Sequence, residues 1–500
     1  MSACGRWSPH RRSWRGTGLS LGLGTASIFL AYGAVFLACG SEPRRDGPVV
    51  VGAAGSGPET PVLTTVSGVL LPEDDDDGTG LHTGPCVNLQ CQQVACAGGG
   101  RTTLSGTVFT PSGELPLYNV TVYVPNKELE PISDGASCST CDASVSGSPV
   151  VATITDTAGH FQLTDVPAGD NIPLVMQVGK WRRRVTLPHV DPCTENALTN
   201  VDLTRLPANQ SEGDLPRIAL STGALDALEC LLRKVGISDS EFTNPNGAGR
   251  VNLFAGHQGT QGYDATLNGG LAFQSSGSSL WDQLSSFQRY DVVLLSCEGA
   301  EFLDEKPAAA RQALFDYLNG GGRAFLSHWH KIWLQEGPAP FPNMVSFNNR
   351  DDDLNVSATV DTSFPKGAAL AEWLVNVKGS SLPGTVDLVQ AQNTAASENP
   401  LYAQRWIYDP MDGRTGALSV KYVSANTPLG VPSEQQCGRT VYSDIHVSSG
   451  DDSAPAKPFP TGCTSTGLSP QEKVLIYMLF DLSACIVPDD QPPSPPIIVR

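Results

Sequence analysis

Five residues in the second half of the chain have side chains that hold divalent metals or move protons: Glu298, His328, His330, Asp444 and His446. His328 and His330 stand two apart on what reads as extended chain, as do Asp444 and His446, so each pair points to one side. His328, His330, Asp444 and His446 form a donor set for zinc or another divalent ion, with one position left to water. Glu298, His328 and His446 are then the catalytic candidates for hydrolysis of a carbohydrate or an amide. The plainer account is that HxH and DxH arise by chance and that these side chains hydrogen-bond loops. Trp329 and Trp333 beside them would floor a sugar pocket or, more commonly, pack beneath the loop. Cys297 precedes Glu298 and would be a nucleophile if His328 or His446 lowered its pKa. In an exported chain, a disulfide to Cys230 is the safer expectation.

The elements that must position these residues read as alternating strand and helix. Arg217 to Leu220 is a short apolar run, followed by Ala224 to Val235 with Leu225, Leu228, Leu231, Leu232 and Val235 at helical spacing. Val251 to Ala255 predicts a strand and Leu280 to Phe287 a short helix. Tyr290 to Ser296 is continuously apolar, as a strand buried on both faces should be. A helix over Pro307 to Leu318 ends at Gly320-Gly321-Gly322 and delivers Arg323 to Leu326 as the next strand. Such alternation predicts a doubly wound, flavodoxin-like α/β domain whose strand carboxyl ends carry the candidate site.

The order YDVVLLSCEG, helix, GGGRAFLSHWH resembles the class I glutamine amidotransferase-like superfamily, and its ThuA-like branch in particular. CGRTVYSDIHV, then Ser469-Pro470-Gln471-Glu472 and a helix to Leu482, is similar to that superfamily's late histidine-bearing strand and closing helix. Ser469 with Glu472 makes a capping box. The resemblance implies a cysteine nucleophile on the turn after RAFLS, but His328 stands there, so no glutaminase chemistry follows. Gln335 to Val431 matches no known pattern.

The first half reads differently. Short β-branched runs at Thr103 to Thr110, Val120 to Val124, Val150 to Ile154, His160 to Leu163, Leu174 to Val178 and Arg183 to Leu187 are separated by turn residues. They predict an antiparallel β-sandwich. LSGTV, TDTAGHF and VPAG resemble the carboxypeptidase regulatory-like (transthyretin-like) fold, which implies a structural or binding module. Cys86, Cys91, Cys96, Cys138, Cys141 and Cys193 are read as a six-cysteine disulfide framework, with zinc second for Cys138 and Cys141. The basic cluster Trp181 to Arg184 could dock a polyanion, or be an exposed strand face.

Arg6, Arg11, Arg12 and Arg15 precede an uncharged stretch from Thr17 to Ala38, as in a signal peptide. Phe36 to Gly40 resembles a bacterial lipobox, which implies lipidation at Cys39 and a membrane partner through that anchor. The alternative is an ordinary signal peptide. Thirteen cysteines, eleven of them after Cys4 and Cys39 are set aside, point to an oxidising compartment. Cys230, Cys297, Cys437, Cys463 and Cys485 complete the disulfide candidates, and the odd count leaves at least one thiol over. A net charge of −19 repels phosphate backbones and excludes nucleic acid as a partner.

The expected layout is a signal over 1–38, a flexible tether over 39–85, the cysteine-rich sandwich over 86–195 and a connector over 196–214. The α/β domain follows over 215–487, with an insertion at about 335–431, and a Pro-rich tail over 488–500. The leading expectation is an exported, envelope-anchored lipoprotein, with the outer membrane as its expected location and a binding or structural role toward a carbohydrate or protein ligand. The metal-dependent hydrolase is the alternative, and a thiol-exchange protein the third.

Overall fold

The computed structural model describes residues 85–141, 145–350, 352, 354–447 and 450–498. The leader, Cys39 and the tether up to residue 84 lie outside the described residues.

Seven strands come first: β1 (Thr103–Thr107), β2 (Thr121–Pro125), β3 (Pro149–Ile154), β4 (His160–Thr164), β5 (Gly169–Val178), β6 (Trp181–Val190) and β7 (Glu195–Ala197). They form two small sheets, ordered β4-β1-β7 and β3-β2-β5-β6. Every pairing is antiparallel except β1 with β7. The alternation in β4, where Phe161 and Leu163 are buried between exposed neighbours, is that of a strand with one face in a core. β7 carries the first sheet into the region expected to be only a connector.

Thirteen strands then build one large sheet. They are β8 (Ile218–Ser221), β9 (Phe242–Thr243), β10 (Val251–Ala255), β11 (Gln274–Ser275), β12 (Val292–Leu295), β13 (Arg323–Ser327), β14 (Val345–Phe347), β15 (Leu354–Val360), β16 (Thr385–Ala391), β17 (Ala395–Glu398), β18 (Gln404–Asp409), β19 (Ser419–Thr427) and β20 (Gly438–Ser443). The central order β10-β8-β12-β13-β20 is parallel throughout. From β19 onward the sheet continues antiparallel through β18, β15 and β16, so the stretch that matched no pattern widens the sheet.

The helices are α1 (Leu228–Val235), α2 (Ser276–Ser279), α3 (Leu284–Phe287), α4 (Ala308–Asn319), α5 (Ile332–Gln335), α6 (Pro365–Asn376) and α7 (Pro470–Ser483). Successive residues of β12 split between two cores. Val292 and Leu294 join α1, α6 and α7, whereas Val293 and Leu295 join α3 and α4. A strand covered on both faces must be apolar at every position, which is why VVLL lacks alternation.

α7 is buried nearly all round because it packs between the large sheet and the two small ones. Its Tyr477 stacks on Tyr118 at 6.1 Å and its Phe480 meets Trp181 at 5.6 Å. α1 begins at Leu228, later than the periodicity predicted, because Gly223 and Asp226 form a bridge that occupies the first expected turn.

Ten cysteines pair: Cys86 with Cys91, Cys96 with Cys193, Cys138 with Cys437, Cys141 with Cys485, and Cys230 with Cys463. Two expectations are thereby corrected. The six early cysteines do not form a closed framework, since Cys138 and Cys141 reach across to the large-sheet region. Cys230 does not bond Cys297, because α1 turns it toward Cys463.

Candidate functional site

At the carboxyl ends of β8, β12 and β13 the backbone segments crowd together. A Cβ on Gly223 would lie 2.3 Å from the Cys297 carbonyl oxygen, so only glycine allows this approach. Gly256 is equally constrained, with the Thr222 carbonyl oxygen 1.9 Å from where its Cβ would be. These closures bring Cys297 to the junction between β12 and the turn after β13.

β13 ends at Ser327, and His328 enters a sharp strand-to-helix turn with φ of +41°. A non-glycine residue in the left-handed region costs on the order of 1–3 kcal/mol, and the surrounding packing must hold it there. In this conformation His328 Nδ1 lies 3.5 Å from Cys297 Sγ. Its Nε2 lies 2.8 Å from Thr394 Oγ1. The Thr394 hydroxyl donates its proton to the Arg350 carbonyl, so it accepts from His328 Nε2–H. This fixes the tautomer and turns the Nδ1 lone pair toward sulfur.

His446 closes the group. One donor atom each from Cys297, His328 and His446 lies within 4.8 Å of the others. Cys297 and His328 are fully buried and His446 is 6% exposed. Asp226 holds the two histidine-bearing segments together, its Oδ2 accepting from Ser327 Oγ at 2.6 Å and its Oδ1 from the Val447 N–H at 2.9 Å. Burial pushes the Asp226 carboxyl up to about 7. Burial also raises the Cys297 thiol far above its ordinary value, outweighing the lowering influence of the Trp329 and Gly299 backbone amides. His328 is pushed down to about 2, first by burial and then by His446, Lys331 and His330. The pair is therefore a neutral thiol beside a neutral imidazole.

The other expected residues are engaged elsewhere. His330 Nδ1 accepts from Trp333 Nε1 at 2.9 Å, so its Nε2 carries the proton and donates to the Ser296 carbonyl at 2.9 Å. Asp444 accepts from Tyr442 Oη at 2.7 Å and from the Ala395 N–H at 2.9 Å. Glu298 is a buried ion pair with Lys306 at 2.6 Å and also accepts from the His257 N–H at 2.8 Å. The donor set expected from HxH and DxH is thus corrected: His328 and His446 come together, but with Cys297 in place of His330 and Asp444. From His328 onward the chain leaves extended geometry, so the alternation that aligned His328 with His330 does not operate. Trp333 packs in the core at 5.4 Å from Trp281, while Trp329 is half-buried. The basic cluster is used internally, with Arg182 on Asp214 and Arg184 on Glu128, both at 2.8 Å.

Asp226 and Thr394 escaped the sequence reading. Asp226 sat inside a stretch with helical periodicity, and Thr394 in the stretch without a recognisable pattern.

No family model matches the chain, and no curated protein matches it. Among solved structures, the chain is similar to a ThuA-like protein from Bacteroides uniformis ATCC 8492 at 11% identity. That match covers 53% of this chain and 90% of the other, with a TM-score of 0.28. It is also similar to a type II cohesin–X-dockerin complex from Acetivibrio cellulolyticus at 16% identity, over 29% of this chain and 75% of that one, with a TM-score of 0.14. Scores this low carry no argument, and the functional reading rests on the residues themselves. Among the described residues, no helix is long and apolar enough to cross a membrane.

Proposed function

We propose that this chain is an exported cell-envelope lipoprotein, anchored through Cys39, with a binding or structural role and no turnover chemistry. In this reading the first half is a carboxypeptidase regulatory-like sandwich and the second a flavodoxin-like α/β domain of ThuA-like type that has lost its elbow cysteine. Five disulfides support an oxidising location. The ligand would be a carbohydrate or a protein.

The observation that carries the reading is the closed, neutral state of Cys297 and His328. A working Cys–His nucleophile needs thiolate character and access, and a fully buried thiol raised by burial has neither. Glu298, the carboxylate expected to assist a hydrolysis, is held in a buried ion pair with Lys306.

Iodoacetamide labelling of the native, disulfide-intact protein tests this. Cys297 should stay unmodified over hours at pH 8 and react once the chain is unfolded in guanidinium. Stoichiometric labelling of the native protein within minutes would overturn the noncatalytic reading.

A further inference from the structure

We propose that Cys297, His328 and His446 form a three-coordinate site for one thiophilic monovalent ion, Cu(I). This goes beyond the binding or structural role above and stands on separate observations.

The first is distance. Metal–sulfur and metal–nitrogen bonds of about 2.3 and 2.0 Å, meeting at tetrahedral to trigonal angles, span about 3.3–3.7 Å between donor atoms. Sγ and His328 Nδ1 are 3.5 Å apart before any adjustment. The widest separation in the group, within 4.8 Å, closes by about 1 Å on binding.

The second is the surroundings of the donors. A metal-binding imidazole characteristically gives its other N–H to an oxygen, which fixes ring and tautomer. His328 does this through Thr394, whose own proton goes to the Arg350 carbonyl.

Charge selects the ion. Binding breaks the Cys297 S–H bond and forms a metal–sulfur bond, and the proton leaves to water. With one thiolate and two neutral imidazoles, a monovalent ion gives an uncharged buried complex. A divalent ion leaves a net positive charge in a largely buried site, which is expensive. Thiolate and imidazole donors also suit Cu(I) by softness. His446, at the rim, is the side from which a single ion enters.

The test is an anaerobic titration of the full mature protein with Cu(I), without thiol reductants, in competition with bathocuproine disulfonate. Wild type should retain one equivalent, Cys297→Ala none, and His446→Gln should bind at least tenfold more weakly. If both variants fail to fold, X-ray absorption of the copper-loaded wild type decides, with one sulfur and two nitrogen neighbours expected. No retention by wild type, equal retention by Cys297→Ala, a first shell without sulfur, or tighter retention of Zn(II) than of Cu(I) would each overturn the assignment.

Discussion

Glu229 illustrates how a single buried side chain ties this protein's stability to pH. It faces the core from α1, is 1% exposed, and its Oε2 has no hydrogen-bond partner among the described residues. Burial pushes its carboxyl up to about 7, with smaller contributions from Asp226 and Asp451, against the lowering by Ser453. The native state therefore holds this proton more tightly than the unfolded chain. The stability it contributes is complete below about pH 4.5 and is lost as pH rises toward 7. Relative to wild type, Glu229→Gln should gain on the order of 3 kcal/mol between pH 4 and pH 8. Urea unfolding of both proteins at several pH values measures this, and a constant difference would refute it. The comparison must be differential, because His328 and His330 work in the opposite sense. Their pKa values are lowered on folding, so the stability they contribute is present above about pH 6.5 and lost as pH falls.

At the scale of elements, α7 was the most legible feature of the sequence. Ser469 Oγ accepts from the Glu472 N–H at 3.2 Å, and Glu472 Oε2 accepts from the Ser469 N–H at 2.8 Å. Both bonds are the reciprocal pair the S-x-x-E spacing anticipates, with Pro470 in the first turn. Ser469→Ala should lower stability by about 1 kcal/mol, read as a lower denaturant midpoint with unchanged m. A loss under a few tenths would mean the cap is dispensable. β12 was equally legible, because its uninterrupted apolar run is bounded as a short strand covered on both faces. The start of α1 was not. Its periodic leucines continue upstream, yet Asp226 is drawn out of helical geometry to bind Ser327 and Val447. Those partners are remote in sequence, so no local pattern signals them.

For the whole molecule, the contacts between the small sheets and the large-sheet region are covalent as well as apolar. Cys138 and Cys141 bond Cys437 and Cys485, and Trp373 Nε1 donates to the Pro116 carbonyl at 2.8 Å. With Tyr118 and Trp181 packed on α7, the two parts share one core. Scanning calorimetry of the oxidised protein should therefore give one cooperative transition. Replacing Cys138, Cys141, Cys437 and Cys485 by serine should cost about 2–4 kcal/mol per crosslink. Two separated transitions in the oxidised wild type would show that the parts unfold independently.

The amino-acid sequence by itself determined the alternation of strands and helices from Arg217 to Leu326, the closing helix, and the short strands before them. These follow from which neighbouring positions are apolar, a property of the local chain. With Cys4 and Cys39 set aside, parity leaves at least one of the remaining eleven cysteines without an intrachain partner. Only the tertiary structure decided that this is Cys297 and that His328 and His446 face it. The reason is physical: pairing and donor geometry depend on which distant segments come within a few ångströms, and partners such as Cys141 and Cys485 are 344 residues apart in the chain.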